Sequence, residues 1–294
     1  VFMQGVPAAI GQNDFMRAAD LSVAVAALAD GPCRILAGGT DVFPALQDRP
    51  LTGRVLDISG IADLRHIDAR DDYWSIGAAV SWRDIFRAHL PPAFDGLKDA
   101  AREVGSWQIQ NRATLVGNIC NASPAADGVP ALLTLDAEIE LQSSRGRRVL
   151  PLASFIVGNR QTKRADDEIA TAILVPKSAT KGQGYFYKLG ARRYLVISIG
   201  MVAMRLVCDD DHNISDIAIA VGACSEVAMR LDDLEQRLRG QALASAAQLV
   251  SAAHFDGLSP IDDVRAPASY RIDAVEEAVR RLLASASPTA GRDS

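Results

Sequence analysis

Two β-rich runs, Val202–Cys208 and Ile214–Gly222, stand close together, with the turn-forming segment Asp209–Asn213 between them. Extended apolar runs joined this tightly read as an antiparallel hairpin, so the second half of the chain is committed to an antiparallel sheet. Beyond it, Leu231–Leu238, Ala242–His254 and Ala274–Leu283 repeat apolar residues at spacings of three and four, the helical period, while Ser285–Ser294 is rich in Ser, Pro and Gly and reads as frayed. The C-terminal part is therefore expected to be a small α+β unit.

The first half follows a different rhythm, alternating helices and strands. A helix over residues 20–31, with Asp20 or Ser22 as its cap, leads to a strand at Arg34–Ala37, the turn Gly38-Gly39-Thr40-Asp41 and a new helix at Val42–Leu46. Strands at Arg54–Ile58 and Tyr73–Gly77 follow, then helices at Ser81–His89 and Phe94–Val104, the first with Asp84 placed to complete a capping box. From Gly105 to Pro130 the periodicity fails and the segment reads as one long, weakly charged loop, more often functional than idle. Ala131–Leu135 reads as a helical turn, Glu138–Gln142 and Arg147–Leu150 as a hairpin and Ile169–Val175 as a strand, and Lys177–Gly184 is the best boundary between two domains.

Composition excludes several classes. With 31 Lys and Arg against 36 Asp and Glu, a net charge of -5, the chain lacks the basic excess of a nucleic-acid binder. Its apolar runs are too short to span a bilayer. The first twenty residues lack a basic start, apolar core and cleavage site, so a cytoplasmic location is expected. Cys33, Cys120, Cys208 and Cys224 show no C-x-x-C, and His66, His89, His212 and His254 no H-E-x-x-H. No metal site or iron–sulfur cradle is expected, and the cysteines read as reduced, mostly buried apolar residues.

Two segments are left to carry chemistry. Leu36–Asp41 puts two glycines at a strand's end, where backbone N–H groups can approach a phosphate, although any sharp exit from a strand also favours glycine. Thr114–Asn118, followed by Asn121–Asp127, gathers hydroxyl, amide and carboxylate groups suited to a pyrophosphate and sugar hydroxyls, or equally to a self-stapled polar loop.

The strings ILAGGTDV and QIQNRATLVGNICNASPAADGVPALLTLDAEIEL, with PLASFIVGNRQTKRADDEIATAILVPKS, YFYKLGARR and SPIDDVRAPASYRIDAV further on, resemble the FAD-binding medium subunits of molybdenum hydroxylases, the xanthine dehydrogenase and carbon monoxide dehydrogenase family. The resemblance runs in order over nearly the whole chain. It implies an α+β fold: a p-cresol methylhydroxylase-type FAD domain of two α+β lobes over residues 1–176, then over 177–294 a smaller domain of antiparallel sheet and helices. It also implies FAD, and no covalent link is expected because no suitably marked His or Cys sits beside either loop. Leu36, Ala37, Gly38, Gly39, Thr40 and Asp41 would wrap the diphosphate, and Thr114, Leu115, Gly117 and Asn118 would hold it from the other lobe. Asp127 matches the family's acidic residue after the Ser-Pro turn and would hydrogen-bond the cofactor, Leu174 would flank the flavin or the adenine, Lys188 would stand near the isoalloxazine, and no catalytic residue is implied.

The same resemblance places the molybdenum cofactor on a large partner subunit and two 2Fe-2S clusters on a small one, with electrons leaving through this FAD to a terminal acceptor. Three residues depart from the family pattern: Val116 where a glycine is usual, Val104 where an aromatic residue often flanks the ring, and Val196 in place of an aspartate. Val116 and Val104 motivate a second reading, an assembly subunit that has lost its flavin; a third, a free-standing flavin oxidase, would need a catalytic acid or base facing the ring, and no such residue declares itself.

Overall fold

The computed structural model describes residues 14–192 and 197–287. Val196 and the tail from residue 288 onward lie outside the described residues.

The first lobe is built from β1 (Phe15–Arg17), α1 (Leu21–Ala29), β2 (Arg34–Leu36), α2 (Val42–Leu46) and β3 (Val55–Asp57), with the three strands parallel in the order β1-β3-β2. Of the two candidate caps of α1, Asp20 is the one used: its carboxylate accepts from Val23 N at 2.9 Å.

The second lobe carries β4 (Ile67–Ala69), β5 (Tyr73–Gly77), α3 (Trp82–Arg87) and α4 (Asp95–Glu103), then three short helices, α5 (Trp107–Gln110), α6 (Leu115–Asn121) and α7 (Gly128–Thr134). It closes with β6 (Glu138–Ser143), β7 (Gly146–Pro151), α8 (Leu152–Phe155), β8 (Ile156–Gly158), β9 (Gln161–Thr162) and β10 (Ile169–Pro176). Its antiparallel sheet runs β4-β5-β10-β6-β7, and β10 at its centre is buried from Ile169 to Val175, which explains an apolar run with no alternation. Ser81 and Asp84 form the expected capping box of α3.

The stretch read as one long loop is thus largely helical. Ser106 caps α5 by accepting from Ile109 N, and Thr114 caps α6 by accepting from Gly117 N at 3.0 Å. Helices of four to seven residues present too few turns for a hydrophobic period to emerge.

The third unit follows as β11 (Gln183–Leu189), β12 (Gly200–Cys208), β13 (Ile214–Gly222), β14 (Met229–Arg230), α9 (Asp232–Leu238), α10 (Leu243–Ala246) and α11 (Ala268–Ala286). Its strands pair antiparallel in that order, and β12 and β13 form the expected hairpin. Two helical expectations change here. Ala242–His254 is not one helix but α10 and two 3-10 turns, and α11 runs through Ser285 to Ala286, into the segment read as frayed.

The sheet is covered on both faces, and side-chain size sorts the two. Ile217, Ile219 and Val221 join Val202 and Met204 in a core with α9, α10 and α11, whereas Ala203 and Ala220 belong to the core of the first two lobes. Small residues on that second face let α7 lie directly on the strands: a side chain at Gly222 would come within 2.7 Å of Pro130. No described helix is long and apolar enough to cross a membrane.

Candidate functional site

Two chain segments meet where the parallel strands end. β2 delivers the turn at Gly38, and the N-terminus of α6 is held opposite it because Leu115 N donates to Val80 O and Trp82 N to Ala113 O. Their contact is backbone against backbone. A Cβ on Gly38 would lie 2.0 Å from the carbonyl oxygen of Arg112, a distance no side chain could relieve. Gly39 sits at φ +74°, in the left-handed region, with the Phe43 ring beside it.

Between these segments lies a cavity of about 500 Å³, with a small one of about 100 Å³ across Ala37, Gly38 and Thr114. The larger volume is in the ordinary range for a bound organic ligand. Its wall is polar in an unusual way. Among the described residues, no acceptor meets the N–H groups of Gly38, Gly39, Thr40 and Asp41. The indole Nε1 of Trp82, a residue 1% exposed that lines the cavity, is buried without a partner. A buried indole donor is rarely left this way unless a ligand or water completes it, and the amides of the half-exposed turn stand open beside it.

Of the residues singled out in the sequence, Ala37, Gly38, Gly39, Thr40, Asp41, Thr114, Gly117 and Asn118 line this cavity. Leu36, Leu115, Asp127, Leu174 and Lys188 do not. Leu36 and Leu115 are buried, and Leu174 is buried in β10 opposite Ser75 and Glu138.

Asp127 and Lys188 instead pair with each other at 3.0 Å, both largely buried. Ser198 Oγ donates to the other Asp127 oxygen at 3.1 Å, and Lys188 Nζ also donates to the Glu103 carbonyl at 3.1 Å. Burial pushes the Asp127 carboxyl up, and Lys188 and Ser198 work against that shift. This network stands one residue behind the wall at two points. Glu103 precedes the cavity-lining Val104, and Gly128, which follows Asp127, donates to Asn118 Oδ1 at 3.3 Å.

The sequence reading missed other wall residues. Trp82, Arg34 and Arg164 line the cavity, but no local motif marks them. Cys33 and Cys120, read as structural, line it as well, and of the four cysteines only Cys224 is fully buried. Burial pushes the Cys120 thiol up to about 11, so it stays protonated and unreactive at neutral pH. Val116 lies in the first turn of α6 with its side chain buried, and its place in a helix accounts for a β-branched residue there. The described residues hold no cluster of His, Cys, Asp and Glu fit for a metal.

These features fit FAD on chemical grounds. Unpartnered amides suit a diphosphate, an orphaned indole N–H suits a carbonyl or hydroxyl acceptor, and Ile109, Val104 and Ile169 supply apolar wall for a planar ring.

Comparison with known proteins gives the same direction. The family described as the FAD binding domain in molybdopterin dehydrogenase matches residues 10–178, and the CO dehydrogenase flavoprotein C-terminal domain matches residues 185–286. The chain is 31% identical over 289 residues to the xanthine dehydrogenase FAD-binding subunit of Escherichia coli O157:H7, covering 94% of this chain and 97% of that one. It is 31% identical over 264 residues to the nicotine 6-hydroxylase medium subunit of Paenarthrobacter nicotinovorans, covering 87% and 90%. Among solved structures, a chain of reconstituted CO dehydrogenase from Oligotropha carboxidovorans superposes with a TM-score of 0.83 at 24% identity, covering 92% of this chain and 96% of that chain, and so shares the fold.

Proposed function

Because this chain belongs to the family of FAD-binding subunits of molybdopterin dehydrogenases, we propose that it holds FAD in the cavity between its first two lobes and serves as the electron outlet of a heteromeric oxidoreductase. Its partners in this reading are a large subunit with the molybdenum cofactor and a small subunit with 2Fe-2S clusters, because its relatives are medium and FAD subunits. The observation that carries the assignment is the row of free amides at Gly38–Asp41 and the unpartnered indole of Trp82 on the wall of one cavity.

When bound, FAD would supply electron transfer between the partner's clusters and a terminal acceptor, chemistry that is the cofactor's own. The chain's residues bind and orient. Gly38 lets the two loops close on the diphosphate, Gly39 adopts the backbone turn that aims the amides, and Thr114 and Asn118 hold the opposite wall. Behind that wall, the Asp127–Lys188 pair fixes the positions of Val104 and Asn118. The cofactor is held without a covalent bond in this reading, and burial of the Cys120 thiol on the cavity wall disfavours its thiolate. No acid or base from this chain takes part, as expected where substrate is transformed on another subunit.

The test is anaerobic spectroscopy on the isolated chain and on the complex. The isolated chain should retain FAD, be reduced by dithionite and ignore purines, aldehydes and aromatic heterocycles, whereas the complex should bleach its flavin with its own substrate. Bleaching of the metal-free isolated chain by such a substrate would overturn the proposal, as would a colourless chain that refuses added FAD.

A further inference from the structure

The geometry points to Arg164 as a phosphate-recognising residue of the cofactor cavity, a cation supplied by the loop between β9 and β10 to a wall that also carries the open amides of Gly38–Asp41. The inference rests on the FAD reading above and assigns a residue that no motif in the sequence marks.

Arg164 lines the cavity half-buried, and no described carboxylate lies within ion-pair distance of it. A cation withdrawn from water without a counter-charge is costly unless an anion completes it. Its guanidinium is nevertheless held in place: Nη1 donates to the carbonyls of Ala165 at 2.9 Å and Glu168 at 2.7 Å. Nε and Nη2 donate to no described residue, so one edge of the fork is free. The loop is braced in turn, because Glu168 accepts from Ala165 N at 2.8 Å and takes both Nε and Nη2 of Arg148 at 2.6 and 2.7 Å.

A guanidinium fixed on one edge and open on the other is pre-organised for two oxygens of a phosphate. Its charge also reaches the cavity wall, where it pulls against the burial-driven rise of the Cys120 thiol. The other charged wall residues are Arg34 and Asp41, both exposed, so Arg164 is the braced cation among the described ones.

Binding of FAD and of riboflavin, which lacks phosphate, should be measured by flavin fluorescence on the full chain, for wild type, Arg164→Gln and Arg164→Lys, at two salt concentrations. Arg164→Gln should weaken FAD about 10- to 100-fold, the scale of a charge-assisted pair, and leave riboflavin unchanged. Wild-type affinity for FAD should fall more steeply with salt than that of Arg164→Gln, and Arg164→Lys should recover part of the loss. Equal FAD affinity in wild type and Arg164→Gln would overturn the inference. So would an equal loss of FAD and riboflavin, which would make Arg164 a prop for the loop. A wild-type chain that binds neither flavin would overturn the parent reading and this one with it.

Discussion

The cavity between the first two lobes and the seam that joins them to the third unit are both polar, yet they treat their polar groups in opposite ways. At the seam nearly every donor is used. Arg205 donates to Thr134 O and Asp216, both at 2.8 Å, and Arg230 to Leu133 O, Asp136 and Glu235. Just inside the third unit the fully buried Arg271 donates to Ile199 O, Ala223 O and Asp263, and among the described residues Nη1 of Arg205 and Nε of Arg271 are the buried donors left unmatched there. At the cavity the amides of four successive residues and one indole are left open. Saturated polarity holds subunits of structure together, and unsaturated polarity is kept where something else is to be held.

The comparison breaks most visibly at the seam. Asp127→Ala should strand Lys188 as an uncompensated buried cation and cost about 3 to 5 kcal/mol in urea unfolding, far beyond any effect of a solvated loop acid. A loss below about 1 kcal/mol would show that the pair adds little to the seam.

Next in size are the glycines. Gly38→Ala drives a methyl into the Arg112 carbonyl and should lower apo stability by about 1 to 3 kcal/mol while abolishing FAD retention. Gly39→Val, which is opposed by a positive φ and by the flexible Phe43 ring, should lose FAD from a chain that still folds. Equal flavin content in either folded variant would detach this turn from the cofactor.

What the sequence made legible follows from how local each signal is. Asp84 three residues after Ser81, the strand Tyr73–Gly77 and the β12–β13 hairpin are encoded within a few residues, and each stands where it was expected. The segment 105–130 hid three short helices because its Gly, Asn and Ser content masks periods shorter than two turns, although Ser106 and Thr114 marked two starts. Ala242–His254 satisfied the spacing of a helix, but its spacing equally suits the 3-10 turns found at Ala247–Leu249 and Ala252–Phe255. The glycine loops were readable as a candidate site from their own residues. The partnership of Asp127 with Lys188, 61 residues apart, and the arrival of Arg164 and Trp82 at the same cavity are products of tertiary packing and leave no local trace.

A subtler test separates cavity from seam by sign. Trp82→Phe removes an N–H that has no partner, so the apo protein should lose less than about 1 kcal/mol, whereas FAD affinity should fall by about 1 kcal/mol if the indole serves the ligand. A larger loss in apo stability than in binding would make Trp82 a packing residue only.

The smallest effect concerns acid. Arg148 holds the Glu168 carboxyl below the ordinary glutamate range. A carboxylate lowered on folding contributes stability that is fully present above its unfolded pKa, near 4.3, and is lost as pH falls through the lowered value. Thermal melts of Glu168→Gln should therefore decline less steeply than wild type below about pH 4.5, the two differing most at neutral pH. Parallel acid limbs would show that the pair adds nothing.

Helix α7 gives the fold a mechanical property. It starts directly after Asp127, behind the cavity wall, and about 10 Å later ends in the Leu133 and Thr134 carbonyls that Arg230 and Arg205 grip from the third unit. It is a strut, with no slack loop between its two anchorages. A chain cut at 177–184 would leave those carbonyls and an apolar helix flank bare to water, so the two segments that family patterns separate behave as one machined part. Strain applied to the outer sheet would therefore reach the cavity wall through this helix, with no hinge between to absorb it.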